Sequence, residues 1–403
     1  MNKNLKFFFS IMMIVALCFG YAAIYFPLDN YDFERLHIFL FNLCTGGTII
    51  LYFTEGIGRL SVRTGSFLIL SLFYALSAFF KIYPITIFLS LGLASIVESL
   101  RIERFSIFPS NFFTMKESVS AKFHQASLLC LSIGLLMSSA VIINNEYIHV
   151  VTMDKLVLNT FFLGFSFPLS LITLSVIFSM IRLNGDGSQD GDFSQDCSQK
   201  SFSLQSFPHT LKHGEILPYI KNIFSNRVVS VICFWTINLG VIIFFIFILF
   251  EKFYPQLVVT SLLFIAVITV FSLYRKFGQQ MQQKQFLSSG IGFLIATAIS
   301  GIAYIFYQMS PNYNPVDTKW LLRIHIFVSL YGWNLCGLAV ICRFNDFPIK
   351  LHSGIVITVH WLTALVLAPL GGNSPFIALM AIVGYIFIVL TLFFSNINKG
   401  ERI

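Results

Sequence analysis

Charge is what this sequence has least of. Of its 403 residues only 11% are Asp, Glu, Lys or Arg, while 56% are hydrophobic. A soluble domain carries about 25% charged residues, so a soluble globular fold is excluded. Acids and lysines are missing from the middles of the long apolar blocks, and Glu55 and Glu98 stand near block ends. A proton pump or proton-coupled transporter needs a buried acid or a relay, so this absence counts against both. The seven cysteines (Cys18, Cys44, Cys130, Cys197, Cys233, Cys336 and Cys342) have no C-x-x-C spacing, which leaves no zinc or disulfide framework. The first apolar run, Phe7 to Pro27, lacks a small-x-small cleavage site and is long for a signal peptide, which predicts an uncleaved first helix.

What the chain has instead is apolar length. Blocks near 7–28, 36–55, 64–80, 85–100, 123–144, 156–181, 228–250, 257–274, 286–308, 320–342, 352–371 and 375–397 each approach the roughly 20 residues that cross a bilayer as helix. An all-α polytopic protein of about 12 transmembrane helices is predicted, since hydrocarbon offers the backbone no other partners. Twenty of the 26 Lys and Arg then fall on the side of the N-terminus. Arg35, Lys81, Lys155, Lys252 and Lys319 fall on the other side, and Arg323 lies within a helix. Cationic loops stay cytoplasmic during insertion, so both termini are expected inside, in a bacterial inner (plasma) membrane. The net charge of +8 follows from this asymmetry and calls for no nucleic-acid partner.

Residues 184–226 interrupt the helices with NGDGSQDGDFSQDCSQKS, a composition expected to be disordered, followed by a segment with the spacing of a short interfacial helix. Three regions result: 1–183 with six helices, the cytoplasmic linker 184–226, and 227–403 with six more. An internal echo runs across this division. RLHIFLFNLCTGG (35–47) and RIHIFVSLYGWNLCG (323–337) both place His-Ile-Phe near a helix start and Asn-Leu-Cys further down. With LNTFFLGF (158–165) opening the sixth helix, the second, sixth and tenth helices are spaced by four. That spacing predicts three four-helix arcs about a pseudo-threefold axis.

Ionisable candidates inside the bilayer are therefore histidines. His37 and His325 sit at matching depth on two inward-running helices, His360 is mid-helix, and His124 and His352 stand at inner helix ends. His149, His209 and His213 fall in loops. A lone membrane histidine is expected to make an interhelical hydrogen bond. Two that face across a bundle have the chemistry to ligate a haem iron from both sides. Asn42, Asn159 and Asn334 read as helix–helix hydrogen bonders, and the 47 Phe as lipid-facing and core filler.

These residues give the chain a resemblance to the haem–copper oxidase subunit I superfamily, nearest its C-type oxidase and nitric-oxide reductase branches. Glu34-Arg35-Leu36-His37 is similar to the family's opening of helix two, whose His ligates the low-spin haem. Arg323-Ile324-His325, with Gly332 beyond, is similar to the His-x-His of helix ten, with His325 at the second His. Arg227 through Phe234-Trp235 is similar to the start of helix seven. The departures are as specific. Arg323 replaces the His that holds the active-site haem, and Leu158 stands at a copper-ligand position of helix six. INLGVIIFFIFILF (237–250) has no counterpart of helix seven's paired histidines.

The resemblance implies one low-spin b-type haem, with His37 and His325 as metal ligands. No copper and no oxygen or nitric-oxide reduction are implied. The family's propionate-binding cations are missing from APLGGNSP (368–375), and Arg323 or Arg35 is expected to replace them. The implied role is electron transfer, redox sensing or respiratory-complex assembly with a respiratory or redox partner subunit. Two other readings stand beside it: a multipass transporter, and a haem-free membrane scaffold in which side chains fill the haem pocket.

Overall fold

The apolar blocks fold as the backbone requires in hydrocarbon, into helices that satisfy their own N–H and C=O groups. The computed structural model describes residues 1–26, 31–181, 216–279, 282–343 and 353–394. In chain order the helices are α1 (Lys3–Tyr25), α2 (Phe33–Glu55), α3 (Val62–Phe79), α4 (Tyr83–Arg104), α5 (Val119–Ile148) and α6 (Asp154–Ser179). They continue with α7 (Ile216–Leu249), α8 (Phe253–Phe277), α9 (Gln282–Gln308), α10 (Lys319–Cys342), α11 (Gly354–Leu370) and α12 (Pro375–Phe394). Among the described residues ten helices are long and apolar enough to cross a membrane. Two shorter apolar helices, Gly164–Ser179 within α6 and Gly354–Leu370, accompany them. The chain has the make-up of a polytopic membrane protein.

Local chemistry sets the helix starts. Ser61 and Ser118 accept backbone N–H groups from Thr64 and Ala121, at 3.0 and 3.1 Å, and so satisfy first-turn donors of α3 and α5. Asp32 caps α2 by accepting from Arg35 N–H at 2.9 Å. Pro84 opens α4, where its missing N–H costs nothing. Helix α7 begins at Ile216, and its apolar span runs over Asn226–Leu249. Pro218 sits in its first turn, which tolerates proline, and no breaker follows before the apolar span. Residues 184–215 lie outside the described residues, as do Cys197, His209, His213 and His352.

Consecutive helices pack side by side from α1 to α12, and α12 returns to α1. Inside this succession α2, α6 and α10 pack on one another. Burial follows the same order: 89% of the apolar window of α2 and 78% of that of α10 are buried, against 22% for α7. The helices of the internal echo are thus the central ones. At the α5–α6 crossing the backbones touch. A Cβ on Gly134 would stand 2.5 Å from the carbonyl oxygen of Gly164, which Pro168 deprives of its usual helical donor. Ser127 bonds the Pro168 carbonyl at 2.8 Å and closes the same seam.

The helices of the centre are not uniform α-helix. Phe39–Gly47 in α2, Val328–Asn334 in α10 and Thr363–Leu367 in α11 are widened π-helical turns. Such turns change which face the following side chains present, and they leave carbonyls for side chains to use. Thr45 donates to Leu40 O at 2.9 Å, five residues back, and His360 donates to Tyr331 O across helices at 2.6 Å.

Candidate functional site

The histidines separate into two groups by the proton each must carry. His37 Nδ1 lies 2.7 Å from the carbonyl oxygen of Ala16 on α1. A carbonyl only accepts, so Nδ1 holds the proton and Nε2 keeps its lone pair. The hydroxyl of Tyr331, 3.2 Å from the same Nδ1, can then only share that proton as acceptor. His325 repeats the arrangement on the other side of the echo. Its Nδ1 is 3.0 Å from Thr297 O on α9. Ser300 Oγ, 3.3 Å away, spends its own proton on that same carbonyl. In both cases a glycine one turn further along the preceding helix makes room for the ring: Gly20 beside His37 and Gly301 beside His325, where an added Cβ would approach to 3.1 Å.

His360 and His124 are of the opposite kind. His360 donates from Nε2 to Tyr331 O, and its Nδ1 faces Cys336 Sγ at 3.9 Å, so both nitrogens are occupied. Thr54 gives its hydroxyl proton to Ile50 O and therefore accepts from His124 Nε2 at 2.7 Å. The His124 ring packs between Phe53 and Phe105. Both join helices and need no ligand.

The structure does not bring His37 and His325 together. Phe327 stacks on Tyr21 of α1 with ring centroids 5.8 Å apart. Tyr331, one turn on, stacks on His37 at 5.7 Å and lies 4.8 Å from both Phe41 and Tyr385. These residues define the face of α10 turned to α1, α2 and α12. His325 precedes Phe327 by two residues, about 200° around an α-helix, and rests on α9. The two imidazoles thus occupy different sides of α10. The space between α1, α2, α10 and α12 is filled by aromatic rings. The cavity beside them, lined by Met13, Leu17, Phe41, Tyr331 and Tyr385 among others, holds about 10 Å³, room for one water. A haem shared by His37 and His325 does not fit this arrangement of side chains.

The arginines also part ways. Arg35 forms an ion pair with Asp32 at 2.8 Å, within the turn that starts α2. Arg323 donates from Nη1 to Asn373 Oδ1 at 2.7 Å, and its guanidinium lies against Gly372. It thereby supplies positive charge to the α11–α12 turn that has none of its own. Tyr21 and Tyr25 of α1 grip the same turn by donating to Ala368 O (3.0 Å) and Gly371 O. Sequence reasoning had no signal for this latch, because its acceptors are backbone carbonyls.

Of the asparagines, Asn334 bonds Ser166 and Ser170 of α6, at 3.0 and 3.2 Å, and Trp333 joins the same Ser170. Asn42 is fully buried with neither amide atom hydrogen-bonded. The Leu158 and Asn159 side chains lie outside the described residues. No three of His, Cys, Asp and Glu gather among the described residues. No protein-family model, curated protein or solved structure matches the chain.

Proposed function

We propose that this chain is a haem-free scaffold of the bacterial inner membrane, built on the helix plan of oxidase subunit I. It crosses the bilayer twelve times with both termini cytoplasmic, and it presents its outer helices to a respiratory or redox partner subunit. It reduces neither oxygen nor nitric oxide. One observation carries the reading: Phe327, Tyr331, Tyr21 and Phe41 pack the junction of α1, α2 and α10, on the face of α10 that a haem shared by His37 and His325 would need. The packing of α2, α6 and α10 on one another supports the three-arc plan. In this account His37 and His325 are equivalent clamps, each fastening the second helix of an arc to the first.

The test is a reduced-minus-oxidised spectrum of protein expressed with ample haem, with a pyridine haemochrome assay. The proposal expects no b-type signal. One haem per chain, lost in both His37→Ala and His325→Ala, would overturn it.

A second reading is favoured by the tautomers alone. Both Nε2 lone pairs are free for iron, which is the state a ligating histidine needs when its other nitrogen is held by a carbonyl. One b-type haem on His37 and His325, with Arg323 near a propionate, requires α10 to turn about its axis and Phe327 to leave its place. The same spectrum decides between the two.

A further inference from the structure

We propose that Nε2 of His325 is a binding point for a hydroxyl-bearing, membrane-soluble molecule, such as a quinol, that reaches the α9–α10 seam from the outer leaflet. The outer-leaflet placement rests on the topology proposed above; the hydrogen-bonding argument does not. With its proton fixed on Nδ1 by Thr297 O, His325 offers Nε2 only as an acceptor. Neither hydroxyl beside the ring on α9 can satisfy it: Ser300 gives its proton to Thr297 O, and Thr297 gives its own to Phe293 O. No described residue donates to Nε2.

The ring is also within reach from outside the bundle. His325 is half-buried, unlike His37 and His360, and it stands in the second turn of α10. The α9 window it leans on is only 28% buried. A polar atom left facing hydrocarbon is costly, so a donor from the membrane phase is favoured there. The seam continues outward as a polar stripe. Tyr304 lies one turn beyond Ser300 on α9 and shares a hydrogen bond with Tyr313, hydroxyl to hydroxyl at 3.1 Å. Gln308 and Thr318 hydrogen-bond to the same pair, so these hydroxyls mark a polar end to the seam and are held within the chain. A quinol has what Nε2 needs: a hydroxyl that donates to it. Its oxidised quinone cannot donate.

Carbethoxylation followed by mass spectrometry reads this site directly, because the reagent attacks an unspent imidazole nitrogen. The full chain in nanodiscs is treated alone, with decyl-hydroquinone, with the matching quinone, and with decanol. His325 is expected to react faster than His37, His124 and His360, and decyl-hydroquinone should slow it several-fold while the quinone does not. Equal protection by decanol assigns the donor to a simple lipid hydroxyl and keeps the site. An unreactive His325, or identical rates in all four samples, overturns the proposal, as does equal protection by the quinone. The absorbance spectrum of the same sample reports haem separately, so failure of this site is distinct from failure of the haem-free reading.

Discussion

His37 gives its Nδ1 proton to the carbonyl of Ala16, 2.7 Å away, and so fastens α2, the most buried of the ten membrane-length helices among the described residues, to the first. His325 does the same to Thr297 between α10 and α9. Interhelical hydrogen bonds in bilayers contribute about 0.6 to 2 kcal/mol each. His37→Leu is therefore expected to lower stability by about 1 kcal/mol, read as the midpoint of SDS unfolding. Gly20→Leu should cost more, since its side chain would push into the His37 ring. A stability unchanged in both variants would remove the clamp from the account.

The α5–α6 crossing predicts a sharper contrast among glycines. Gly134→Ala places a methyl against the backbone of Gly164 and must separate the helices, at a cost of about 1–3 kcal/mol for overpacking. Gly92→Ala meets nothing within 4 Å and replaces a poor helix former, so it should be neutral or slightly stabilising. Thermal unfolding in detergent compares the two.

At the end of α4, Arg101 is buried and binds Glu98 at 2.6 Å, while it also donates to the carbonyls of Ser106 and Ile107 at 2.8 and 3.0 Å. Glu98 accepts in turn from Ser132. Removing one partner of a buried pair strands the other, at roughly 3–5 kcal/mol in well-buried cases. Glu98 is partly exposed, so Arg101→Leu should fall at or below the lower end of that range. Glu98→Gln, which keeps an acceptor, should cost less. Unfolding midpoints for the two variants in the same detergent test the order.

Topology is open to thiol labelling. A membrane-impermeant maleimide should reach Cys197 only in inside-out vesicles and a Ser310→Cys variant only in right-side-out ones. The reverse pattern would invert the orientation, and labelling of both from one side would break the span count.

Much of the fold was legible because lipid imposes helix on any long apolar block, and because Lys and Arg mark loops. The echo between 35–47 and 323–337 picked out two helices that prove central. What the sequence hid was direction. In a bilayer both the lipid face and the core face of a helix are apolar, so the residues around His325 carry no contrast that says which side it takes. The π turns at 39–47 and 328–334 likewise rotate the residues that follow them, out of step with a regular helical pattern. The echo reads as two ends of one haem site, yet His37 rests on Ala16 of α1 and His325 on Thr297 of α9. The link from Arg323 to Asn373 joins residues 50 apart through a neutral partner, which no charge pattern announces.

The orientation of α10 decides between a scaffold and a haem protein, and paired-cysteine cross-linking in a cysteine-free background measures it most directly. Tyr21→Cys with Phe327→Cys, and Gly301→Cys with His325→Cys, should cross-link efficiently in membranes, while Tyr21→Cys with His325→Cys should not. Efficient linking of position 325 to position 21, with loss of the link to 301, would turn His325 toward His37 and contradict the account.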